Sequence, residues 1–242
     1  MKLSDFKVLT FDCYGTLIDW ESGMFEALKP LTSRLSRPLP RDAILQAHGR
    51  HESTQQNQTP TMRYDRLLAI VYKRLAEEWG LTARWAECEA YGQSIGAWPA
   101  FPDSPGALAY LKQHYKLVIL SNVDNASFAK SNERLGVEFE AVFTAEDIGS
   151  YKPDRRNFDY MLSHLEGRGF GKPDILHTAE SLFHDHLPAN AFGLASCWIY
   201  RRHGQEGFGA TRNPGAMPRL DFRFNSLGEL ADAHRAEMVE PR

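Results

Sequence analysis

A short apolar run, Val8-Leu9-Thr10-Phe11, stops abruptly at Asp12 and a glycine-containing turn, and the same form returns three times along the chain. Lys116-Leu117-Val118-Ile119-Leu120 gives way to Ser121-Asn122, and Ile175-Leu176-His177-Thr178 gives way to a polar loop. Ala195-Ser196-Cys197-Trp198-Ile199-Tyr200 is the fourth. Runs of this length read as strands covered on both faces, as in a parallel sheet. Helical patterns lie between them. Ser104-Pro105 caps a helix with proline in its first turn, residues 126–135 form another closed by Gly136, and 155–166 and 186–192 complete the set, the last stopped by Gly193. Alternating strand and helix predicts a doubly wound, Rossmann-like α/β sheet, whose ligands bind beyond the carboxyl ends of the strands. Asp12, Ser121 and the loop after Thr178 stand at such ends.

Residues 20–99 break the alternation. They contain no strand pattern, and Arg63 to Trp79 places Leu67, Leu68, Val71 and Leu75 at helix spacing. The polar stretch Ser53 to Pro60 reads as a loop. The expected organisation is therefore a core from residues 1–19 and 100–242, with an inserted helical cap over 20–99. The return to the core falls at Trp98-Pro99-Ala100-Phe101-Pro102.

Composition narrows the class of function. A net charge of -3 gives no electrostatic reason to bind nucleic acid, and no apolar run is long enough to cross a membrane. Charges at Lys2, Asp5 and Lys7 interrupt any signal-peptide core. The three cysteines, Cys13, Cys88 and Cys197, show no CxxC spacing, which suits a reducing cytoplasm rather than a disulfide or zinc framework. Alternation along the strand points Cys13 away from the side that Asp12 faces, which argues against a cysteine nucleophile.

Four segments carry chemistry. Asp12-Cys13-Tyr14-Gly15-Thr16-Leu17 places a carboxylate at a strand end beside a tight turn. Ser121-Asn122 offers a hydroxyl and an amide. Lys152, in Tyr151-Lys152-Pro153-Asp154, brings a cation that keeps a nearby carboxylate ionised. Ala179-Glu180-Ser181-Leu182-Phe183-His184-Asp185 sets two carboxylates five residues apart.

In this order the four segments resemble the motifs of the haloacid dehalogenase superfamily, with a cap inserted after the first. The residue two after the nucleophile is an aspartate in the family's phosphatases, serving as acid and base; here it is Tyr14, an arrangement that looks like the L-2-haloacid dehalogenases. The resemblance implies that Asp12 attacks carbon, forms an ester and is released by water. It implies that Thr16 orients Asp12, Ser121 and Asn122 hold substrate or nucleophile, Lys152 stabilises negative charge, and Asp185 orients Lys152 or the water. Tyr14 and Trp20 would line the substrate pocket. A cap arginine would engage the halide or the substrate carboxylate; Arg50 is the candidate, with Arg63 and Arg66 as rivals.

The chain departs from the dehalogenase pattern at Glu180-Ser181-Leu182, where those enzymes carry Ser-x-Asn, and at Phe158, where they have tyrosine. Glu180 and Asp185 match the phosphatase spacing and, with Asp12, compose a conceivable Mg²⁺ set. Alternatively Glu180 pairs with Lys152, the reading favoured here, in which no metal is required. His184 and His186 read either as ligands and bases or as polar supports. The expected function is hydrolysis of a short 2-haloalkanoic acid by a cytoplasmic enzyme, with a Mg²⁺-dependent phosphatase of the same fold as the alternative. The implied partners are a small substrate and, as in many such relatives, a second copy in a homodimer.

Overall fold

The computed structural model describes residues 1–239; residues 240–242, the end of the expected core segment, lie outside it. Six parallel strands form one sheet: β1 (Val8–Phe11), β2 (Lys116–Ser121), β3 (Ala141–Thr144), β4 (Ile175–Ala179), β5 (Ala195–Ile199) and β6 (Phe222–Phe224). Their order is β3-β2-β1-β4-β5-β6. Thr10 sits level with Val118 on one side and with His177 on the other, so β1 lies at the centre. The chain goes outward to β3, then returns across β1 to build β4, β5 and β6. The sheet therefore switches direction between β1 and β4, and the crevice at that point opens at Asp12.

The four apolar runs correspond to β1, β2, β4 and β5, all buried except for Lys116. β3 and β6 carried no such signal. Both are edge strands of three or four residues; β6 has no buried residue and β3 buries only Phe143 and Thr144, so neither needs a continuous apolar sequence. Helices α6 (Ser104–Leu111), α7 (Asn125–Leu135), α8 (Ala145–Ile148), α9 (Arg155–Glu166), α10 (Leu187–Ala191) and α11 (Leu227–Val239) flank the sheet. Gly136 closes α7 at φ 67°, a left-handed conformation that glycine takes without steric penalty.

Between β1 and α6 the chain is helical. It forms α1 (Trp20–Ala27), α2 (Lys29–Thr32), α3 (Arg41–Gln58), α4 (Tyr64–Glu78) and α5 (Trp85–Gly92). Helix α4 packs through Leu67, Leu68, Val71 and Leu75, all fully buried, as their spacing predicts. One continuous apolar cluster joins these residues to Leu9, Phe11 and Ile119 of the sheet. Helix α3 corrects the expected loop at 53–60, because it continues to Gln58. Its inward face carries His48, Glu52, Gln55 and Gln56, all buried, so the polar sequence resembled a loop while serving as an interior surface. Among the described residues no helix is long and apolar enough to cross a membrane.

The connection from β5 to β6 ties the two halves together. Arg202 pairs with Glu21 of α1 at 2.5 Å and with Asp42 of α3 at 3.3 Å, and the Ala210 N–H donates to Glu21 at 3.0 Å. Gly49 lets this segment lie directly on α3, since a Cβ there would stand 2.1 Å from the Ala210 carbonyl oxygen. The neighbour is backbone and cannot rotate aside. Gly49→Ala is therefore expected to destabilise the protein by ~1–3 kcal/mol through overpacking, lowering Tm by roughly 2–4 °C per kcal/mol. Calorimetry showing an unchanged Tm would remove this contact from the account.

Candidate active site

Asp12 follows β1 directly and is almost wholly buried. Each carboxylate oxygen accepts one bond: Oδ1 from Lys152 Nζ at 3.0 Å, and Oδ2 from the Thr16 hydroxyl at 2.9 Å. The Thr16 oxygen in turn accepts the backbone N–H of Glu180 at 2.9 Å, joining the loop after β1 to the loop after β4. These bonds fix the plane of the carboxylate.

Lys152, 1% exposed, also donates to Asp185 Oδ1 at 2.6 Å and to the Leu120 carbonyl at 2.7 Å. Asn122 clamps the lysine backbone, accepting its N–H at 2.7 Å and donating to its carbonyl at 3.0 Å. The Asn122 amide is thereby spent on positioning the cation. Ser121, at the end of β2, keeps a buried hydroxyl with no partner among the described residues.

Asp185 rises from a π-helical turn, Leu182–His186, opened by Ser181, whose Oγ accepts the His184 N–H at 3.0 Å. His177 on β4 bonds Asp185 Oδ1 at 3.0 Å through Nε2 and Thr10 at 2.8 Å through Nδ1. An ionised carboxylate only accepts, so Nε2 carries a hydrogen, and in the neutral ring Nδ1 accepts from the Thr10 hydroxyl. Asp185 Oδ2 has no partner among the described residues.

One ammonium thus serves two carboxylates. Burial works to raise both acids, but Lys152 and then His177 outweigh it at Asp185 and hold that group well below the usual carboxylate range. Asp12, with the longer bond to Lys152 and with Asp185 nearby, is left raised by burial. Lys152 is held above its usual value because the two carboxylates overcome burial. Burial, and then Asp12, push the Cys13 thiol well up, so it remains a core side chain.

These groups line a cavity of ≈ 40 Å³, which also takes in Tyr14, Trp20, Thr211 and, from the cap, Glu52, Gln56 and Tyr64. An adjoining cavity of ≈ 410 Å³ shares Gln56, Lys152 and His184 with it and is also lined by Arg212. The wider space forms an antechamber to a narrow reaction chamber. Tyr14 presents its ring, while its hydroxyl bonds Ser131 at 2.8 Å and its ring edge packs on Trp98.

Three expectations need correction. Arg50 does not reach the chamber: its guanidinium bonds both oxygens of Glu78 at 2.7 and 2.8 Å and is 58% exposed. It lies two residues from Glu52, about 200° around α3, and so faces outward. The rivals Arg63 and Arg66 are held at the surface by Asp65 and Glu89. Glu180 does not pair with Lys152; its carboxylate meets Thr211 at 3.4 Å. Nor does Glu180 join Asp12 and Asp185, and no cluster of three His, Cys, Asp or Glu side chains among the described residues fits a metal. Asp185 Oδ1 is committed to Lys152 and His177, while Oδ2 has no partner among the described residues. His186, bonded to Ser196 and the Ala179 carbonyl, is a structural support.

The profile of the haloacid dehalogenase-like hydrolases matches residues 6–174. The chain belongs to this family. The haloacid dehalogenase-like core is shared with the L-2-haloacid dehalogenase PA0810, at TM-score 0.75 and 22% identity, covering 96% of this chain and 99% of that one. It is shared too with the L-2-haloacid dehalogenase of Xanthobacter autotrophicus, at TM-score 0.76 and 18% identity, covering 95% and 98%. At such identities the likeness is one of fold. The pyrimidine 5'-nucleotidase YjjG of Escherichia coli (strain K12) is 28% identical over 127 residues, 48% of this chain and 54% of its own length. The chain therefore matches about half of that relative.

Several residues that shape this haloacid dehalogenase-like site gave no sequence signal. His177 lies inside an apolar strand. Glu52, Gln56 and Tyr64 converge only once α3 and α4 are packed. Arg201 holds the first loop from behind, donating to the Thr16 carbonyl at 3.0 and 2.9 Å and to Asp103 at 2.8 Å. Glu180 itself is pushed up to about 8 by burial, with Glu21 and Asp12 adding to it.

A raised carboxyl favours the folded state below its ordinary value of 4.5, and that contribution is lost as pH rises towards 8. Glu180→Gln should therefore gain stability relative to wild type as pH rises through that window. Urea denaturation at pH 5, 6.5 and 8 reads this difference; a difference that does not change with pH would mean that Glu180 is not raised.

Proposed function

We propose that this protein is a hydrolytic dehalogenase converting a short 2-haloalkanoic acid to the 2-hydroxy acid through an ester on Asp12. The observation that carries the reading is a buried carboxylate held at both oxygens, with Tyr14, its hydroxyl turned to Ser131, where a phosphatase would need an acid. A halide leaves as a stable anion and asks for no acid at that position. A phosphate monoester would bring two negative charges into a chamber whose one lining cation, Lys152, already serves two carboxylates. The fold shared with proteins named L-2-haloacid dehalogenases supports the same reading.

In the proposed reaction one Asp12 oxygen attacks the halogen-bearing carbon, and the carbon–halogen bond breaks on the opposite side with inversion. Lys152 and Thr16 hold the nucleophile in line for that attack. Ser121, with its free hydroxyl, and Arg212, in the antechamber, are the donors offered to the substrate carboxylate. This assigns to Arg212 the anion-binding task expected of Arg50. Water then adds to the Asp12 acyl carbon, oriented by the unpartnered Asp185 Oδ2, and the hydroxy acid is released.

Single turnover in H₂¹⁸O tests the route: the label should enter the peptide containing Asp12. Halide release without ¹⁸O in that peptide would rule out the ester. Asp12→Asn is expected to lower turnover by at least about a thousandfold without loss of fold, comparable to removing a catalytic nucleophile elsewhere. A phosphate-ester panel, nucleoside monophosphates included, is the second arm, since YjjG bears a nucleotidase name. Phosphate release exceeding halide release, with or without added Mg²⁺, would replace this reading by the phosphatase one.

A further inference from the structure

The cap forms one wall of the chamber that Asp12 lines, and that wall carries a carboxyl group. Glu52 on α3 is buried and lines the chamber beside Gln56 and Tyr64. Its Oε1 accepts two hydrogen bonds, from the Tyr64 hydroxyl at 2.7 Å and from Gln56 Nε2 at 3.3 Å. Its Oε2 makes no hydrogen bond among the described residues; the nearest ring nitrogen, His48 Nδ1, stands at 3.7 Å. Both donors are spent on Oε1, so in the acid form the proton belongs on Oε2, the oxygen without a donor.

In-line displacement fixes which substrate atom meets this wall. Asp12 attacks from the core side, so the leaving atom departs towards the cap. Glu52, Gln56 and Tyr64 are cap side chains that line the chamber there. We propose that Glu52 donates a proton from Oε2 to the leaving halide, and that fluoride is the halide whose departure depends on it most. The proposal rests on the dehalogenase reading above.

Fluoride is the most basic halide and gains most from a donor. The Asp12 oxygen–carbon bond forms as the carbon–fluorine bond breaks; fluoride keeps the bonding pair and takes the Glu52 proton, leaving as HF. Glu52 is then a carboxylate. When water opens the Asp12 ester, the proton it sheds returns to Glu52, and Asp12 is restored as a carboxylate. The sum is fluoroacid plus water giving hydroxy acid plus HF.

The surroundings of Glu52 keep the proton available near neutrality. Burial raises its carboxyl to about 7 in spite of the Tyr64 hydrogen bond. His48, one turn away on α3, is lowered by burial to about 3 and stays neutral, so it supplies no cation. The other titratable neighbours on the packed elements, Tyr64 of α4, Tyr91 of α5 and Tyr151 of the core, are all raised and uncharged. Across the chamber stand Lys152 with its two carboxylates, and His184, lowered to about 4.

Halide release from 2-fluoro- and 2-bromopropionate, followed from pH 5.5 to 8.5, tests the role. In the wild type the fluoride-to-bromide ratio should fall as pH rises through about 7, because the acid form is lost. Glu52→Gln stays neutral but has no acidic proton. At pH 6 it should lower fluoride release by at least about tenfold, leave bromide release within about threefold, and abolish the bend near neutrality. Equal loss for both halides would assign Glu52 a structural role and overturn the proposal. So would a ratio that is flat with pH, a measurement that needs no variant, or bromide release with no fluoride release at any pH. A wild type that releases no halide from either acid would bring down the dehalogenase reading, and this proposal with it.

Discussion

A single ammonium group, buried where β1, β2 and β4 end together, sets the conditions for the rest of the site. Lys152 is shared by Asp12 and Asp185 and by the Leu120 carbonyl, and none of the three donors on Nζ remains for substrate. Removing one member of a buried charged group of this kind typically costs about 3–5 kcal/mol, because the others are left unpaired. The arrangement explains otherwise unrelated choices of residue. Asn122 exists to clamp the lysine backbone, His177 gives Asp185 a second donor, and Thr10 fixes the imidazole behind it.

The division of labour between the two carboxylates follows from unequal shares of that charge. Asp185 has the shorter bond and the histidine, which keep it ionised and suit the water-orienting task given to it in the proposed reaction. Asp12 keeps a weaker grip on the ammonium, and in the proposed reaction it is the group that forms a bond to carbon. A carboxylate bound as tightly as Asp185 would give up more on attack.

Strands covered on both faces announced themselves as apolar runs, which made β1, β2, β4 and β5 readable, along with the residues at their carboxyl ends. Asp12, Ser121 and the loop that carries Asp185 were singled out by position relative to strands; Lys152 was not, since β3, which precedes it, carried no signal. The cap obeyed no such rule. Its inner face at α3 is lined with His48, Glu52, Gln55 and Gln56, and hydrophobic periodicity is blind to a buried polar stripe. Arg50 was chosen by proximity along the chain, yet helix geometry sends residues 50 and 52 in opposite directions. Glu180 was misread for a related reason: its backbone N–H, rather than its carboxylate, does the bridging to Thr16.

The segment between β5 and β6 fastens the cap to the core and also contributes to the chamber. Glu21 of the cap is gripped from two points on that segment, Arg202 and the Ala210 N–H, while Thr211 extends from it into the chamber. Swinging the cap away would break the ion pair and drag a chamber-lining residue along with it. Traffic of small molecules is then cheapest through the antechamber, past Arg212 and Gln56, with the two domains staying engaged. The size of what the enzyme accepts would be set by that side passage, independently of how well the chamber itself fits the reacting carbon.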